Sequence, residues 1–224
     1  MIVATTRGAA RAWLYDLAIA PMTVRWYRAV LERLPPGCRL LDVGIGTGTA
    51  LLAHASLLRQ RQLAITGVDV EPAYVARCRR AVLERGLAGQ VTVQCESVHA
   101  HHGGPYDAVY FSGSFMLIPD PEAALRHVSL LLAPAGRLYF TQTFEHARSP
   151  VLETIKPLLR RVTTIDFGRV TYEADFRRTL AAARVEIEAV EPLSTGSRRS
   201  ALLVQARHVP PARLVATAPA SPAR

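Results

Sequence analysis

Leu40-Leu41-Asp42-Val43-Gly44-Ile45-Gly46-Thr47-Gly48-Thr49 is the stretch on which the architecture turns. A short apolar run ends in glycines at three alternate positions, and a helical pattern from Thr49 to Gln60 follows. Glycine there lets the chain turn sharply and brings bare backbone against a ligand where a helix begins. The spacing is GxGxG. A dinucleotide fingerprint needs Gly or Ala at the position held by Thr49, so the pattern disfavours NAD-dependent oxidation. Asp42 adds a carboxylate beside the loop, which would repel a pyrophosphate and would suit a ligand carrying an ammonium group.

The next apolar run, Ile65-Thr66-Gly67-Val68-Asp69-Val70-Glu71, ends in an acid that can accept both hydroxyls of a ribose. The third, Val91 to Cys95, is followed by Glu96 and Ser97, which places another acid where an adenine amino group could lie. One acid at a strand end is commonly a cap. Three at successive strand ends predict a ligand site.

Beyond this loop, short apolar runs alternate with longer amphipathic ones. Strands are expected at Leu40–Val43, Ala64–Val68, Val91–Cys95, Ala108–Phe111 and Arg137–Thr141, with helices at Thr49–Gln60, Pro72–Arg85 and Pro121–Leu132 between them. Pro35-Pro36-Gly37 and Pro134-Ala135-Gly136 end helices, and Pro119-Asp120-Pro121 begins one. A helix near Tyr172–Ala183 leads to Val185–Val190 and Leu202–Gln205, joined through Ser194-Thr195-Gly196-Ser197. The expected fold is α/β, a three-layer Rossmann-like sandwich whose seven-stranded, mostly parallel sheet ends in an antiparallel hairpin. One domain over residues 1–209 is expected, with residues 1–34 as a helical cover, 144–172 as a substrate-covering segment and a disordered Pro-, Ala- and Ser-rich tail over 210–224.

Composition sets the outer limits. Of 224 residues, 50% are hydrophobic and 20% charged, enough for one sizeable core and too apolar for a disordered chain. No stretch approaches the ~18 to 20 apolar residues of a membrane span. Arg7 and Arg11 precede the first acid, Asp16, without the apolar core of a secretory signal, so a cytoplasmic location is expected. The formal charge of +9 raises nucleic acid as a partner, yet Lys156 is the single lysine among 27 basic residues and the arginine pairs are scattered. Cys38, Cys78 and Cys95 lack metal-knuckle or disulfide spacing and read as small buried residues.

Residues 38 to 143 resemble the class I S-adenosylmethionine-dependent methyltransferases, whose first motif is an acid followed by GxGxG. Tyr106-Asp107-Ala108-Val109-Tyr110-Phe111-Ser112-Gly113 and Leu132-Ala133-Pro134-Ala135-Gly136-Arg137-Leu138 are similar to the family's fourth and fifth strand signatures. Tyr15-Asp16 and the Arg28–Leu34 helix resemble the ubiquinone- and phospholipid-type enzymes of small substrates. The resemblance implies S-adenosylmethionine as cofactor, and Tyr15 closing over it. The expected cofactor shell is Tyr15, Asp42, Gly44, Gly46, Gly48, Asp69, Val70, Glu96, Ser97, Phe111 and Ser112. Phe111-Ser112-Gly113-Ser114 departs from the NPPY or DPPY pattern that clamps planar amines. The region after that strand also lacks a Pro-Cys nucleophile, and the strand ends lack an acid cluster for a metal.

The methyl of such a donor is already activated, so holding the acceptor atom at ~3 to 3.5 Å in line with the S–CH3 bond provides most of the catalysis. A hydroxyl acceptor would gain from a base. Glu145, His146 and Tyr172 are the expected catalytic residues, just beyond the fifth strand or at the end of the covering segment. His99, Tyr110 and His127 are further candidates, and His101-His102 reads as an exposed loop pair. Phe144, Phe167 and Tyr172, with Trp13, Tyr15 and Tyr27, are expected to form a movable cover over an apolar or flat substrate. The expected activity is methyl transfer to a small molecule or lipid headgroup. Methylation of RNA or a protein side chain, and a non-catalytic cofactor-binding regulator, stand as alternatives.

Overall fold

Every strand of the described chain joins a single sheet, in the order β3-β2-β1-β4-β5-β7-β6. The computed structural model describes residues 21–146 and 171–210. Trp13, Tyr15, Phe167 and the expected tail from 211 onward lie outside the described residues, as does most of the covering segment. Helix α1 occupies residues 21–31. It precedes β1 (Arg39–Val43), β2 (Ala64–Asp69), β3 (Val91–Cys95) and β4 (Tyr106–Ser112). These four pair in parallel with β1 and β4 adjacent, so the strand order reverses at the carboxyl end of β1, where the glycine loop leaves the sheet.

The helix expected over 49–60 is two pieces, α2 (Thr49–Leu52) and α3 (Ala55–Gln60). The break falls at Ala53-His54, where the His54 ring bonds the Val24 carbonyl of α1 at 2.8 Å. Helix α4 (Pro72–Glu84) starts with proline at its first position, and α5 (Pro121–Leu130) does so after Asp120, whose carboxylate accepts the Ala123 N–H at 3.0 Å. Strand β5 spans Leu132–Glu145, beginning earlier than the Pro134-Ala135-Gly136 stop implied. A register shift between Tyr106 and Ala108 of β4 absorbs that segment. Helix α6 (Glu173–Ala182) leads to β6 (Val185–Thr195) and β7 (Arg199–His208), the antiparallel pair that closes the sheet.

Strand alternation divides the core into two layers. Val30, Leu31, Leu34, Leu58, Val75, Val82 and Tyr110 pack on one face. The other is aromatic: Phe111 and Phe140 stack at 5.0 Å, and Phe115, Phe144 and Phe176 meet them edge-on or meet one another. Burying such rings stabilises by about 1.5 to 3 kcal/mol each.

Two expectations fail on burial. Cys95 is exposed while Cys38 and Cys78 are buried, because the third strand ends at the sheet margin. His101 is also buried, 2% exposed, held by two side chains described below. Many surface arginines are paired with acids, among them Arg39 with Asp107 at 3.1 Å and Arg137 with Glu188 at 2.6 Å, so the positive charge is not one bare face. Among the described residues no helix is long and apolar enough to cross a membrane.

Candidate cofactor site

The loop after β1 is built from three glycines with positive φ, Gly44 at 78°, Gly46 at 61° and Gly48 at 71°. Their Cα hydrogens face different surroundings. A side-chain carbon at Gly44 would collide with Ser114, and one at Gly48 with Cys78, whereas one at Gly46 would meet nothing within 4 Å. Gly44 and Gly48 are therefore packing glycines. Gly46 lies open, on the wall of a cleft of about 380 Å3 that is continuous with solvent and lined by Thr23 and Tyr27 of α1, the loop from Gly44 to Ala50, and Ser112.

Asp69 holds this loop in place. One carboxylate oxygen accepts the Gly46 N–H and the other the Glu71 N–H, both at 2.9 Å. Burial raises its pKa, and those N–H groups oppose the rise by favouring the ionised form. Asp42 is fully buried on β1. Tyr27 donates to its Oδ2 at 2.8 Å, while Oδ1 has no partner among the described residues. Burial pushes the Asp42 carboxyl up to about 7; the Tyr27 hydrogen bond opposes this and the charge of Asp69 adds to it.

The remaining expected residues are placed as follows. Val70 stands 69% exposed directly after Asp69. Glu96 follows β3 and receives the ring of His101, Nδ1 to Oε1, at 2.6 Å. Ser97 caps a short 3-10 turn through the His99 N–H. Ser112 lines the cleft, and Phe111 turns its fully buried ring into the aromatic layer, leaving its backbone beside Val43. Glu145, His146 and Tyr172 are not among the residues that line the cleft. The Glu145 N–H donates to Thr171 O at 3.1 Å, the His146 ring meets Ser200 Oγ at 2.8 Å, and Tyr172 stands at the N-terminus of α6. The two further candidate imidazoles bond to backbone carbonyls, His99 with Pro119 O and His127 with His101 O, each at 2.8 Å.

Two features escaped the sequence reading. Tyr27 was expected only in a cover, and its bond to Asp42 crosses from α1 to β1 with no motif to signal it. The run Glu96–His101–Tyr106, completed by a 2.7 Å contact between His101 Nε2 and Tyr106 Oη, is a network that leads from the half-buried Glu96 to the buried Tyr106 hydroxyl. The five-residue spacing on both sides of His101 was the only available clue.

Comparison with known proteins agrees with this geometry. Residues 41–138 match the family described as "Methyltransferase domain". A ubiquinone biosynthesis O-methyltransferase of Xanthomonas axonopodis pv. citri (strain 306) is 34% identical over 125 residues, 55% of this chain and 50% of that one. A phosphatidylethanolamine N-methyltransferase of Cereibacter sphaeroides is 24% identical over 211 residues, 91% of this chain and 98% of that one. The chain thus spans about half the length of the O-methyltransferase it matches. Among solved structures, geranyl diphosphate methyltransferase in complex with SAM superposes with a TM-score of 0.67 at 16% identity, covering 83% of this chain and 85% of that one. The cyclase SpnF superposes with a TM-score of 0.68 at 22% identity, covering 83% and 81%. At such identities the superpositions carry the fold alone. The family match over residues 41–138, the sheet order and the glycine loop are all similar to those of the class I S-adenosylmethionine-dependent methyltransferases.

Proposed function

We propose that this protein transfers the methyl group of S-adenosylmethionine to a small-molecule or lipid-headgroup acceptor by in-line displacement. The observation that carries this reading is the wall of the cleft: Gly46, held by Asp69, keeps open space where any other residue would put a side chain. The residues present fit such a ligand. Asp42 has one buried carboxylate oxygen without a partner among the described residues, complementary to an ammonium group. Asp69 has lone pairs beyond the two it gives to backbone N–H groups, available to ribose hydroxyls. Val70 offers apolar surface to a base, with Glu96 and Ser97 beside it. When bound, S-adenosylmethionine supplies a methyl already activated on a sulfonium, so the protein has chiefly to position the acceptor and exclude water.

Glu145, His146 and Tyr172 are assigned to the acceptor side by the same proposal, Glu145 or His146 taking the proton that a hydroxyl acceptor gives up. In this reading residues 1–209 act as one domain. The O- and N-methyltransferase relatives support an acceptor that is small or a lipid headgroup. Calorimetric titration with S-adenosylmethionine and with NAD, followed by transfer of a labelled methyl to 4-octylphenol and to phosphatidylethanolamine vesicles, tests the reading. Binding of the sulfonium but not of NAD, with label in either acceptor, is expected. Label appearing only in RNA, in a salt-sensitive manner, would overturn it.

A further inference from the structure

We infer that His101 is a positioning residue for cofactor recognition: it fixes the Glu96 carboxylate so that the second oxygen selects an amino group on the base of the nucleoside. The inference rests on the methyl-transfer reading, which sets Glu96 beside the base, and adds to it a residue that touches no ligand. Glu96 is open enough to meet a base and needs direction to do so. Its N–H bonds Asp69 O at 3.0 Å, which ties its backbone to the end of β2. Its side chain is 32% exposed, on the same edge as the exposed Val70. A carboxylate free to rotate there would lose rotamer freedom on binding. The His101 ring removes that freedom beforehand: Nδ1 donates to Oε1 at 2.6 Å, which leaves Oε2 to accept from a ligand.

Three further contacts hold His101 itself. A carboxylate only accepts, so Nδ1 bears a proton, and in the neutral ring Nε2 accepts the Tyr106 O–H at 2.7 Å. Gly103 passes directly over that contact: a side-chain carbon there would lie 2.2 Å from Tyr106 Oη and 2.5 Å from His101 Nε2. Its φ is not in the left-handed region, so what this glycine supplies is room for the ring. From α5, the His127 Nε2–H donates to His101 O at 2.8 Å. A tether for the chain between β3 and β4 needs no particular group at the Glu96 end. An imidazole presenting one proton to one oxygen does more, because it dictates which oxygen stays available. That oxygen attracts the amino N–H of adenine and repels the carbonyl oxygen that replaces it in hypoxanthine.

The test is calorimetric binding of S-adenosylhomocysteine and S-inosylhomocysteine, which differ in the base, to the whole chain. The wild type should prefer the adenine ligand by at least roughly tenfold, the weight of one charge-assisted hydrogen bond. Two variants divide the network. His101→Asn keeps a donor at the Nδ1 position and gives up Tyr106, whereas His101→Gln keeps a group at the Nε2 position and gives up Glu96. Both should lower the melting temperature, yet His101→Asn should retain the preference and His101→Gln should lose it. A structural tether alone predicts the same preference in both, and that result overturns the inference. Should neither variant fold, nitrogen NMR of the wild type decides. The Nδ1–H of His101 is distinct from the Nε2–H groups of His54, His99 and His127, which face backbone carbonyls. At saturation its resonance should shift with S-adenosylhomocysteine and not with S-inosylhomocysteine, and the same response to both overturns the inference. A wild type that binds the two ligands equally rejects the inference and leaves the methyl-transfer reading standing. A wild type that binds neither rejects both.

Discussion

Tyr27 Oη and Asp42 Oδ2 lie 2.8 Å apart, a hydrogen bond that joins α1 to the strand feeding the glycine loop and ties a buried acid to the cleft wall. Tyr27→Phe would leave both oxygens of a fully buried carboxylate without that donor. A loss of about 1.5 to 3 kcal/mol in stability above neutral pH is expected, as for hydrogen bonds to charged groups. Cofactor affinity should fall with it. Thermal denaturation at pH 5 and pH 8 checks this, because the loss should be smaller where Asp42 is protonated.

Asp42 itself predicts a pH dependence. Its folded-state pKa of about 7 lies above the unfolded value, so the acid binds its proton more tightly in the native protein. This contribution to stability is complete below about pH 4 and declines as pH rises to about 7. Asp42→Asn should remove that part of the pH profile and raise stability at pH 8 by a few kcal/mol, while weakening S-adenosylmethionine binding. Parallel denaturant titrations between pH 4 and pH 8 measure the first effect and calorimetry the second.

Asp69→Ala removes two backbone-anchoring bonds along with the proposed ribose contact. Affinity for S-adenosylmethionine should drop roughly tenfold to a hundredfold, with native far-ultraviolet circular dichroism retained. Unchanged affinity in a folded variant would remove Asp69 from the site.

The three loop glycines should respond differently to alanine. Gly46→Ala costs about 1 kcal/mol of stability for its positive φ and meets no neighbour, so its main effect should be lost cofactor affinity. Gly44→Ala and Gly48→Ala push into Ser114 and Cys78 and should cost clearly more stability. Equal melting temperatures for all three would contradict the packing.

His101→Leu breaks both ends of the Glu96–His101–Tyr106 network, leaving the buried Tyr106 hydroxyl short of one partner. A destabilisation of about 1 to 3 kcal/mol is expected by denaturant titration. His102→Leu, at an exposed neighbouring position, should stay within about 0.5 kcal/mol of the wild type.

The sheet was readable in the sequence because its strands are short apolar runs punctuated by glycine and proline. The carboxylates at the ends of β1 and β2 were legible because they flank a loop whose spacing is itself chemical. What escaped detection depends on contacts between distant residues. Tyr27 reaches Asp42 across 15 positions, and His54 splits the expected helix by bonding Val24 across 30. His101 sits in a polar, glycine-flanked stretch that reads as exposed, and only folding brings Tyr106 back over it.

Strand β6, last in the sheet and exposed along most of its length, bears on how the protein behaves in a crowded solution. An edge strand is a template on which a second chain can add itself. Here Glu186, Glu188 and Glu191 pair with Arg207, Arg137 and Arg33, so ion pairs rather than apolar side chains line the strand, and Pro192 withholds an N–H from any incoming partner. Two register shifts against β7, between Ile187 and Ala189 and between Pro192 and Ser194, further distort the edge. The hairpin that completes the fold thus also guards it against sheet-to-sheet aggregation.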